Sequence, residues 1–413
     1  MKKTVSFLLS LVLIFTALPI WSITSFAESN DNDTEFDPPT EEKDLVSGDF
    51  EFKTHSDGTA EVTWYTGFDE TVEIPSTVEG YTVTRITSLG SADTFKGKTL
   101  IIPETVISIN EPITSNLPSF YGKKTLESFV VAEENPAFCS VDGVLFSKDM
   151  TRIVCYPKGN SRKSYTVPEG VVIIGEGAFW FSENLTELNL PDTLIEIEPD
   201  GIRGCSDLKN IELPSNLRII GENAFQMCTN LQSIEIPEGV TEIPFGAFWA
   251  CYKLANVKLP STITSIGNYA FAACYPLTEI NFPEGLLTMG GKCFSLCSKL
   301  TSVTLPKSLQ SVKSSVFDES GLKTIYGYRG SLAEKIANTK GFEFIPLDDP
   351  EPLIGDVNFD GVVDESDYAI VSDYVLCKES LKEEQYAVAD LNNDGVVDAF
   401  DAIILDLIIN KAI

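Results

Sequence analysis

The sequence predicts a repeat protein of the α/β type, with a β-rich solenoid of 23-residue coils followed by a small all-α module. Two observations predict this division. Prolines recur with a constant step of 23 residues, at positions 168, 191, 214, 237, 260, 283 and 306. Nearer the C-terminus, a pattern of acidic residues and glycine occurs twice, with its two copies offset by 34 residues. A fixed period of the first kind is typical of coils that stack on one another.

The first 27 residues have the composition of an export signal. A basic start, Lys2 and Lys3, is followed by an apolar run over residues 5–17. Ala27 closes a small-x-small cleavage site. Pro19 interrupts a run that is already short for a membrane span. We therefore expect residues 1–27 to be cleaved and the mature protein to be secreted, without a transmembrane segment.

Two polar segments divide the rest of the chain. Residues 28–44 are acidic, contain Pro38 and Pro39, and predict a disordered spacer. Residues 348–354 form a short acidic linker that also contains prolines. The chain between them, residues 45–347, is called the repeat domain below, and residues 355–413 are called the C-terminal module.

Charge and histidine content exclude several classes of function. The chain has 61 acidic side chains, 30 basic ones and one histidine, which gives a formal net charge of −31. A polyanion is repelled by nucleic acid, so nucleic acid is not expected as a partner. With His55 as the single histidine, a His-rich zinc site is excluded, and a His-dependent catalytic triad would have to use His55. Since Ser56, Asp57 and Gly58 follow it, a turn is a sufficient explanation for His55.

Each 23-residue unit repeats the same apolar positions. A pair such as Leu188 and Leu190 precedes the proline, and its alternation places both side chains inside a short strand. Proline then ends the ladder because it lacks a donor. A second pair, such as Val171 and Ile174, lies three and six residues after the proline and leads to an Ala-Phe turn. We therefore expect one short strand per coil, with the remainder of the coil returning across the other face.

Five of the nine cysteines share one repeat position. They are Cys205, Cys228, Cys251, Cys274 and Cys297. Cysteines of an exported protein are normally interpreted as a disulfide framework. A constant repeat position instead predicts a column of buried, reduced thiols in the interior.

The 23-residue unit resembles the BspA-like leucine-rich repeats of bacterial surface proteins. This resemblance implies a leucine-rich-repeat solenoid over residues 45–347, with an N-terminal cap and an inserted hairpin. Residues 88–124 fit the repeat poorly. The resembling segments outside the repeats are 57–63 and 80–86 for the cap, 141–146 for the hairpin, and 322–326, 331–337 and 342–345 for a closing strand, helix and strand.

Two twelve-residue loops in the C-terminal module space oxygen ligands as calcium requires. Side chains occupy positions 1, 3, 5, 9 and 12, glycine at position 6 permits a sharp bend, and valine at position 7 offers its carbonyl. The expected ligands are Asp356, Asn358, Asp360, Val362, Asp364 and Asp367 in the first loop and Asp390, Asn392, Asp394, Val396, Asp398 and Asp401 in the second. Because the two loops share one register and each precedes an apolar helix, over 368–376 and 402–409, we expect two calcium ions.

The loops depart from the ordinary EF-hand, because position 12 is Asp and no helix precedes the first loop. In this respect residues 355–413 resemble a type I-like dockerin, which attaches exported proteins to cohesin modules of a cellulosome scaffold. The resemblance implies cohesin contacts just before the last ligand and on the following helix. These residues are Glu365, Ser366, Ser372 and Asp373 in one half and Ala399, Phe400, Asp406 and Leu407 in the other.

The two halves do not match, so the cohesin type and docking mode stay open, and packing within the module is an alternative role for Phe400 and Leu407. Residues 355–413 hold 14 acidic and three basic side chains, a net charge of −11. We therefore expect the module to fold only with calcium.

A catalytic role has little support in the sequence, although dockerins usually accompany polysaccharide-degrading enzymes. A glycosidase needs two carboxylates in a cleft, whereas the outward strand positions are typical of a solvated face. No segment of about 150 residues remains for a separate catalytic domain. We therefore expect no catalytic residues and a non-catalytic protein that acts in polysaccharide degradation, with the repeats binding a protein or carbohydrate.

Two other functions stay open, an O-glycosyl hydrolase built into the repeats and a cell-surface adhesin. Trp180, Trp249, Tyr252 and Tyr275 are candidates for a binding platform, with aromatic packing on the convex side as the alternative.

Overall fold

In the computed structural model, the described residues are 42–91, 94–109, 123–348 and 353–410. The predicted export signal, the spacer up to residue 41 and residues 349–352 of the linker lie outside them. No helix in these described ranges is long and apolar enough to cross a bilayer.

The N-terminal part of the repeat domain begins as an antiparallel meander and continues as a parallel stack. Its strands are β1 (Asp44–Ser47), β2 (Phe50–Thr54), β3 (Thr59–Tyr65), β4 (Thr71–Glu73), β5 (Thr77–Val78), β6 (Tyr81–Ile86), β7 (Thr99–Ile102), β8 (Ser108–Ile109) and β9 (Ser128–Val131). One sheet has the order β1-β2-β3-β6-β5, with β8 also on β6, and a second has the order β4-β7-β9. Parallel pairing starts between β3 and β6. The two sheets contribute most of the residues of one apolar core.

The structure corrects one boundary at this end. The predicted spacer includes Asp44, but Asp44 is the first residue of β1 and pairs with Lys53. The N–H of Lys43 also donates to Thr54 Oγ1 at 2.9 Å. Main-chain hydrogen bonds hold this polar stretch in a strand. Because it has no alternating apolar pattern, the strand could not be predicted from the sequence. His55 lies in the turn between β2 and β3, as expected, and its N–H donates to the Thr59 carbonyl at 2.8 Å.

The inserted hairpin and the repeats follow. Their strands are β10 (Phe138–Val141), β11 (Val144–Ser147), β12 (Arg152–Cys155), β13 (Ser164–Thr166), β14 (Ile173–Ile174), β15 (Glu187–Asn189), β16 (Glu196–Ile197), β17 (Ile219–Ile220), β18 (Ser233–Glu235), β19 (Glu242–Ile243), β20 (Asn256–Lys258), β21 (Ser265–Ile266), β22 (Thr288–Met289), β23 (Ser302–Thr304) and β24 (Ser311–Val312). β10 and β11 are antiparallel around Asp142 and Gly143, which both have positive φ and form the expected tight turn.

Most coils contribute two short strands, where the sequence predicts one. The first comes from the segment before the proline, as in β15 and β20. The second is a two-residue strand after the proline, as in β16, which pairs in parallel with β14 and β17. Ile197, in β16, is fully buried. Main-chain groups beside such a buried residue need partners, and the neighbouring coils supply them.

The third side of each coil is a tight turn that repeats a backbone conformation. Two residues four positions apart take positive φ, for example Asn223 (+56°) and Met227 (+62°). The coils are joined here by main-chain hydrogen bonds, such as Phe225 N–H to the Ala247 carbonyl at 2.8 Å. Because non-glycine residues adopt this conformation at a cost, the stacked hydrogen bonds and the packing must hold it.

Columns of identical side chains fill the interior. The rings of Phe225, Phe248 and Phe271 are stacked nearly parallel, with centroids 5.2 and 5.3 Å apart. The five cysteines of the repeat are fully buried and carry free thiols, as expected. Each thiol lies close to a carbonyl of the preceding coil, as Cys251 Sγ does to the Phe225 oxygen at 3.2 Å. Burial raises the pKa of Cys228 to about 12.

A strand, a helix and a strand close the repeats, as the resemblance implies. They are β25 (Thr324–Gly327), α1 (Leu332–Lys340) and β26 (Glu343–Pro346). β25 extends β23 in parallel, and β26 extends β25. Helix α1 has Ser331 at its N-cap and ends at Gly341, which has a φ of +75°. Left-handed glycine is a common helix terminator.

The C-terminal module is helical. Its helices are α2 (Glu365–Val375), α3 (Glu383–Ala389) and α4 (Ala399–Ile409). Helices α2 and α4 begin three residues earlier than predicted, because Asp364 and Asp398 act as N-caps and accept hydrogen bonds from Ser366 N–H (2.8 Å) and Phe400 N–H (2.7 Å). Sequence reasoning missed α3. The buried apolar core of the module is small and consists of Val357, Val371, Val388, Ala389, Val397, Ala402 and Leu405.

Candidate functional site

The first predicted calcium loop, residues 356–367, is closed by its last residue. Asp367 is completely buried. Its Oδ1 accepts hydrogen bonds from the N–H groups of Val357 (2.7 Å) and Asn358 (3.0 Å). Its Oδ2 accepts one from the Asp364 N–H at 3.0 Å. One carboxylate therefore joins the beginning of the loop to the start of α2.

The first residue of the same loop organises its middle. Asp356 is 4% exposed and accepts hydrogen bonds from the N–H groups of Asp360 (3.1 Å) and Gly361 (2.8 Å). Gly361 has a φ of +89°, a conformation that favours glycine. The carbonyl of Val362, at position 7, belongs to an exposed residue. The bend therefore gathers the loop around Asp356.

The second predicted loop, residues 390–401, repeats this arrangement. Asp401 is completely buried and accepts hydrogen bonds from the N–H groups of Leu391 (2.8 Å), Asn392 (3.2 Å) and Asp398 (2.8 Å). Asp390 accepts hydrogen bonds from the N–H groups of Asp394 (3.2 Å) and Gly395 (2.9 Å). The two loops, 34 residues apart in sequence, thus have the same local structure. Val396, at position 7, is exposed like Val362.

These loops bury negative charge without a basic partner. Among the described residues of the module, the one ion pair joins Asp373 to Lys378 at 3.0 Å and lies outside both loops. A buried carboxylate is costly unless it is paired or coordinates a metal. The donors are oxygens throughout, which suits a hard cation such as Ca²⁺. The residues present therefore fit calcium in their chemistry.

The geometry of the loops is set by main-chain hydrogen bonds. In the described ranges no group of three or more His, Cys, Asp and Glu side chains converges closely enough to hold a metal ion. The side chains at positions 3 and 5 are instead paired with each other, as in the hydrogen bond from Asn358 Nδ2 to Asp360 Oδ2 at 2.9 Å. The second loop has the same contact between Asn392 and Asp394, also at 2.9 Å.

The predicted cohesin contacts lie on α2 and α4, which pack against each other. Exposed members are Glu365, Ser366, Ala399, Phe400 and Asp406, and half-buried members are Ser372, Asp373 and Leu407. Both groups therefore leave some side-chain surface accessible.

The two helices differ in the apolar surface that they expose. Phe400 is 67% exposed and Ile403 is 56% exposed. With Leu407 they follow a spacing of i, i+3 and i+7, which places them on one face of α4. Sequence reasoning missed Ile403, although helical spacing from Phe400 predicts it. The corresponding positions of α2 are Ser366, Ala369 and Asp373, so only α4 has an apolar stripe at this place.

The aromatic candidates of the repeat domain do not form one platform. Trp180 packs beside Phe181 and under the Arg203 guanidinium, 4.5 Å from its ring centroid. Trp249 packs on Tyr269 with centroids 5.4 Å apart.

Tyr252 and Tyr275 form a separate pair. Their centroids lie 5.5 Å apart, and their side chains are 44% and 42% exposed. They are the most accessible rings among the four aromatic candidates.

Two family models match the sequence. The model of the BspA type leucine rich repeat region matches six copies within residues 154–275 and 229–334. The model of the dockerin type I domain matches residues 354–410. No curated protein matches the chain.

Solved structures of leucine-rich repeat proteins resemble part of the chain. A leucine-rich repeat protein from Eubacterium ventriosum is 18% identical, with a TM-score of 0.50 and coverage of 67% of this chain and 94% of that chain. A leucine rich cell surface protein from Faecalibacterium prausnitzii is 21% identical, with a TM-score of 0.43 and coverage of 75% and 96%. The first likeness confirms the solenoid fold. The chain therefore contains a BspA-type leucine-rich repeat region followed by a type I dockerin domain.

Proposed function

We propose that this chain is a secreted, non-catalytic component of a cellulosome-type assembly. Its dockerin attaches to a cohesin module of a scaffold in the presence of calcium, and its repeat domain presents a binding surface to a protein or carbohydrate in polysaccharide degradation. The combination of a type I dockerin with leucine-rich repeats supports the non-catalytic, scaffold-attached role.

In the part of the chain that the structure describes, Asp356, Asp367 and Asp401 are buried without a basic partner. This observation carries the proposed calcium dependence. Two calcium ions, one in each loop, would balance these charges. The proposed ligands are the side chains at positions 1, 3, 5, 9 and 12 and the carbonyls of Val362 and Val396. Calcium supplies the positive charge that the acidic module lacks, and its binding is therefore coupled to folding.

The apolar stripe of α4 supports a docking mode that uses the second half of the module. Phe400, Ile403 and Leu407 supply the buried centre of the interface, because exposed aromatic and aliphatic anchors dominate such contacts. Asp406 and Ala399 lie beside this stripe. The polar residues of α2, Glu365, Ser366, Ser372 and Asp373, form the rim, where charged contacts contribute less to affinity.

The calcium dependence is tested with the whole chain from residue 28 onward and a panel of immobilised cohesins. We expect capture in calcium and none in chelator. The double variant D367N/D401N should weaken calcium binding by at least about tenfold, because it removes two anionic groups from the sites. E384Q, which removes one exposed acid outside the loops, is the matched control and should bind as the parent chain does. Capture that persists in chelator would overturn the proposal.

The docking mode is tested by two single variants at equivalent positions. F400A should abolish capture, whereas S366A on α2 should reduce it by less than about threefold, since it removes no apolar anchor. Equal losses in the two variants would contradict docking through α4.

A further inference from the structure

The tyrosine pair, Tyr252 and Tyr275, interrupts a column of small side chains. The residue that follows each cysteine of the thiol column is Ser206, Thr229, Tyr252, Tyr275 or Ser298. The two rings are stacked with an interplanar angle of 22°. Because their neighbours in the column are Thr229 on one side and Ser298 on the other, the pair forms a ridge with a step at each end.

An open groove of about 480 Å³ runs along this ridge. Besides the tyrosine pair, the polar side chains that line it include Lys253, Lys299, Asn256 and Gln232. None of its lining residues is Asp or Glu, although the chain has 61 acidic residues. The groove is therefore locally basic on an acidic protein.

The lining has the chemistry of a site for an anionic sugar chain. Ring faces pack against the apolar C–H faces of pyranose rings. Asn and Gln amides pair with hydroxyl groups, and ammonium groups pair with carboxylates. Lys253 is held at the groove by a hydrogen bond from its Nζ to Asn230 Oδ1 at 2.7 Å. Tyr252 and Tyr275 come from successive coils and have ring centroids 5.5 Å apart, an interval comparable to one sugar unit of a linear chain. Lys253 and Lys299 are two coils apart, with Pro276 at the position between them, so they match carboxylates on every second unit.

We propose that the groove along Tyr252 and Tyr275 binds a linear polysaccharide of uronic acid units. The tyrosine pair holds sugar rings, and Lys253 and Lys299 hold their carboxylates. This inference rests on the proposed role of the repeat domain as the binding surface of the protein, and it does not depend on the dockerin.

The ligand class is tested by isothermal titration calorimetry with the whole chain from residue 28 onward. The probes are oligogalacturonates, their methyl esters, xylan oligomers and polyglutamate, all in chelator so that calcium does not cross-link the acidic sugars. We expect oligogalacturonates to bind best, the neutral methyl esters and xylan to bind more weakly, and polyglutamate not to bind. Absence of oligogalacturonate binding, or equal binding of polyglutamate, would overturn the proposal.

Two double variants separate the roles of the rings and the charges. Y252A/Y275A should weaken oligogalacturonate binding by at least about tenfold, because both ring contacts are lost. K253Q/K299Q should abolish the preference for the acid over its methyl ester while leaving ester binding unchanged. The controls are K209Q/K323Q, which changes two exposed lysines outside the groove, and F68A, which removes an aromatic residue that is 80% exposed. An equal loss in a control variant would contradict the assignment of the groove.

Cohesin capture in calcium is measured for the same proteins. If oligogalacturonate binding fails while cohesin capture persists, only the groove proposal is wrong. If cohesin capture fails while the groove binds, the scaffold role is wrong and the groove proposal stands.

Discussion

The repeat region and the dockerin solve the problem of a stable interior in different ways. In the repeats, apolar columns run from coil to coil, and even the polar atoms of the thiols lie against main-chain carbonyls. In the dockerin, the core consists of seven buried apolar side chains. The first turns of α2 and α4 carry the buried carboxylates of Asp367 and Asp401. The first interior consists mainly of apolar side chains. Among the described residues of the second, Asp356, Asp367 and Asp401 are buried without a basic partner.

The two regions should differ in how a bound ion changes their free energy of unfolding. Stacked coils gain stability from each neighbour, independently of ions. A module with a small core and buried anions depends on binding energy for folding. If the proposed calcium sites are correct, the stability of the dockerin depends on calcium and that of the repeat region does not.

Removal of calcium should produce the largest difference in stability between the dockerin and the repeat region. At a free calcium concentration of 1,000 times Kd, each ion stabilises the dockerin by about 4 kcal/mol. We therefore expect chelator to remove the part of the α-helical circular dichroism signal that comes from α2, α3 and α4, together with one transition in calorimetry. The signal of α1 and the β-rich transition should stay unchanged. A single transition that moves as a whole with calcium would show that the two regions are not independent.

A cavity in the phenylalanine column should destabilise the repeat region and leave the dockerin unchanged. F248A removes a fully buried ring between two stacked neighbours, and such truncations cost about 3–5 kcal/mol. Urea unfolding should show this loss in the repeat transition, with the calcium affinity of the dockerin unchanged. The control Y252A, at an exposed ring four residues further on, should cost at most about 1 kcal/mol. Similar losses in F248A and Y252A would contradict the packing described for this column.

The smallest effect is expected at the buried thiols of the repeats. Burial raises the pKa of Cys228 and Cys297 to about 12, and the thiolate is the reactive form. Raising the pH from 7 to 9 therefore ionises these thiols only in the unfolded chain. In the folded protein, a maleimide should not label Cys228 or Cys297 at either pH. Cys377, exposed in the dockerin, should be labelled at once. Mass spectrometry of peptides checks this, and rapid native labelling of Cys228 would contradict the closed column.

The repeat pattern and the conformation of the two Asp-rich loops could be predicted because each depends on local spacing. The step of 23 residues places Ile174, Ile197 and Ile220 in one parallel ladder, and the positions of Asp356 and Asp390 define equivalent turns. Other features could not be predicted. Asp44 joins a strand through main-chain pairing, and α3 is a short helix with no counterpart in the loop motif.

The candidate site shows the same division. The sequence indicated Phe400 and Leu407 as equally suited to docking or packing. In the structure, Phe400 is 67% exposed. Together with Ile403 and Leu407 it forms an apolar stripe on α4 that α2 lacks. Helical period relates these residues in sequence, but exposure depends on how α2 and α4 pack.

The period of the solenoid, the buried column of cysteines and the two oxygen-rich loops can be predicted from the amino-acid sequence, because each follows from the spacing of side chains along the backbone. Tertiary structure alone decided which carboxylates are buried without a basic partner and which rings of the repeats stand exposed beside lysines. Outside a repeated pattern, the burial and charge balance of a side chain depend on neighbours that are distant in sequence. Local spacing does not specify those neighbours.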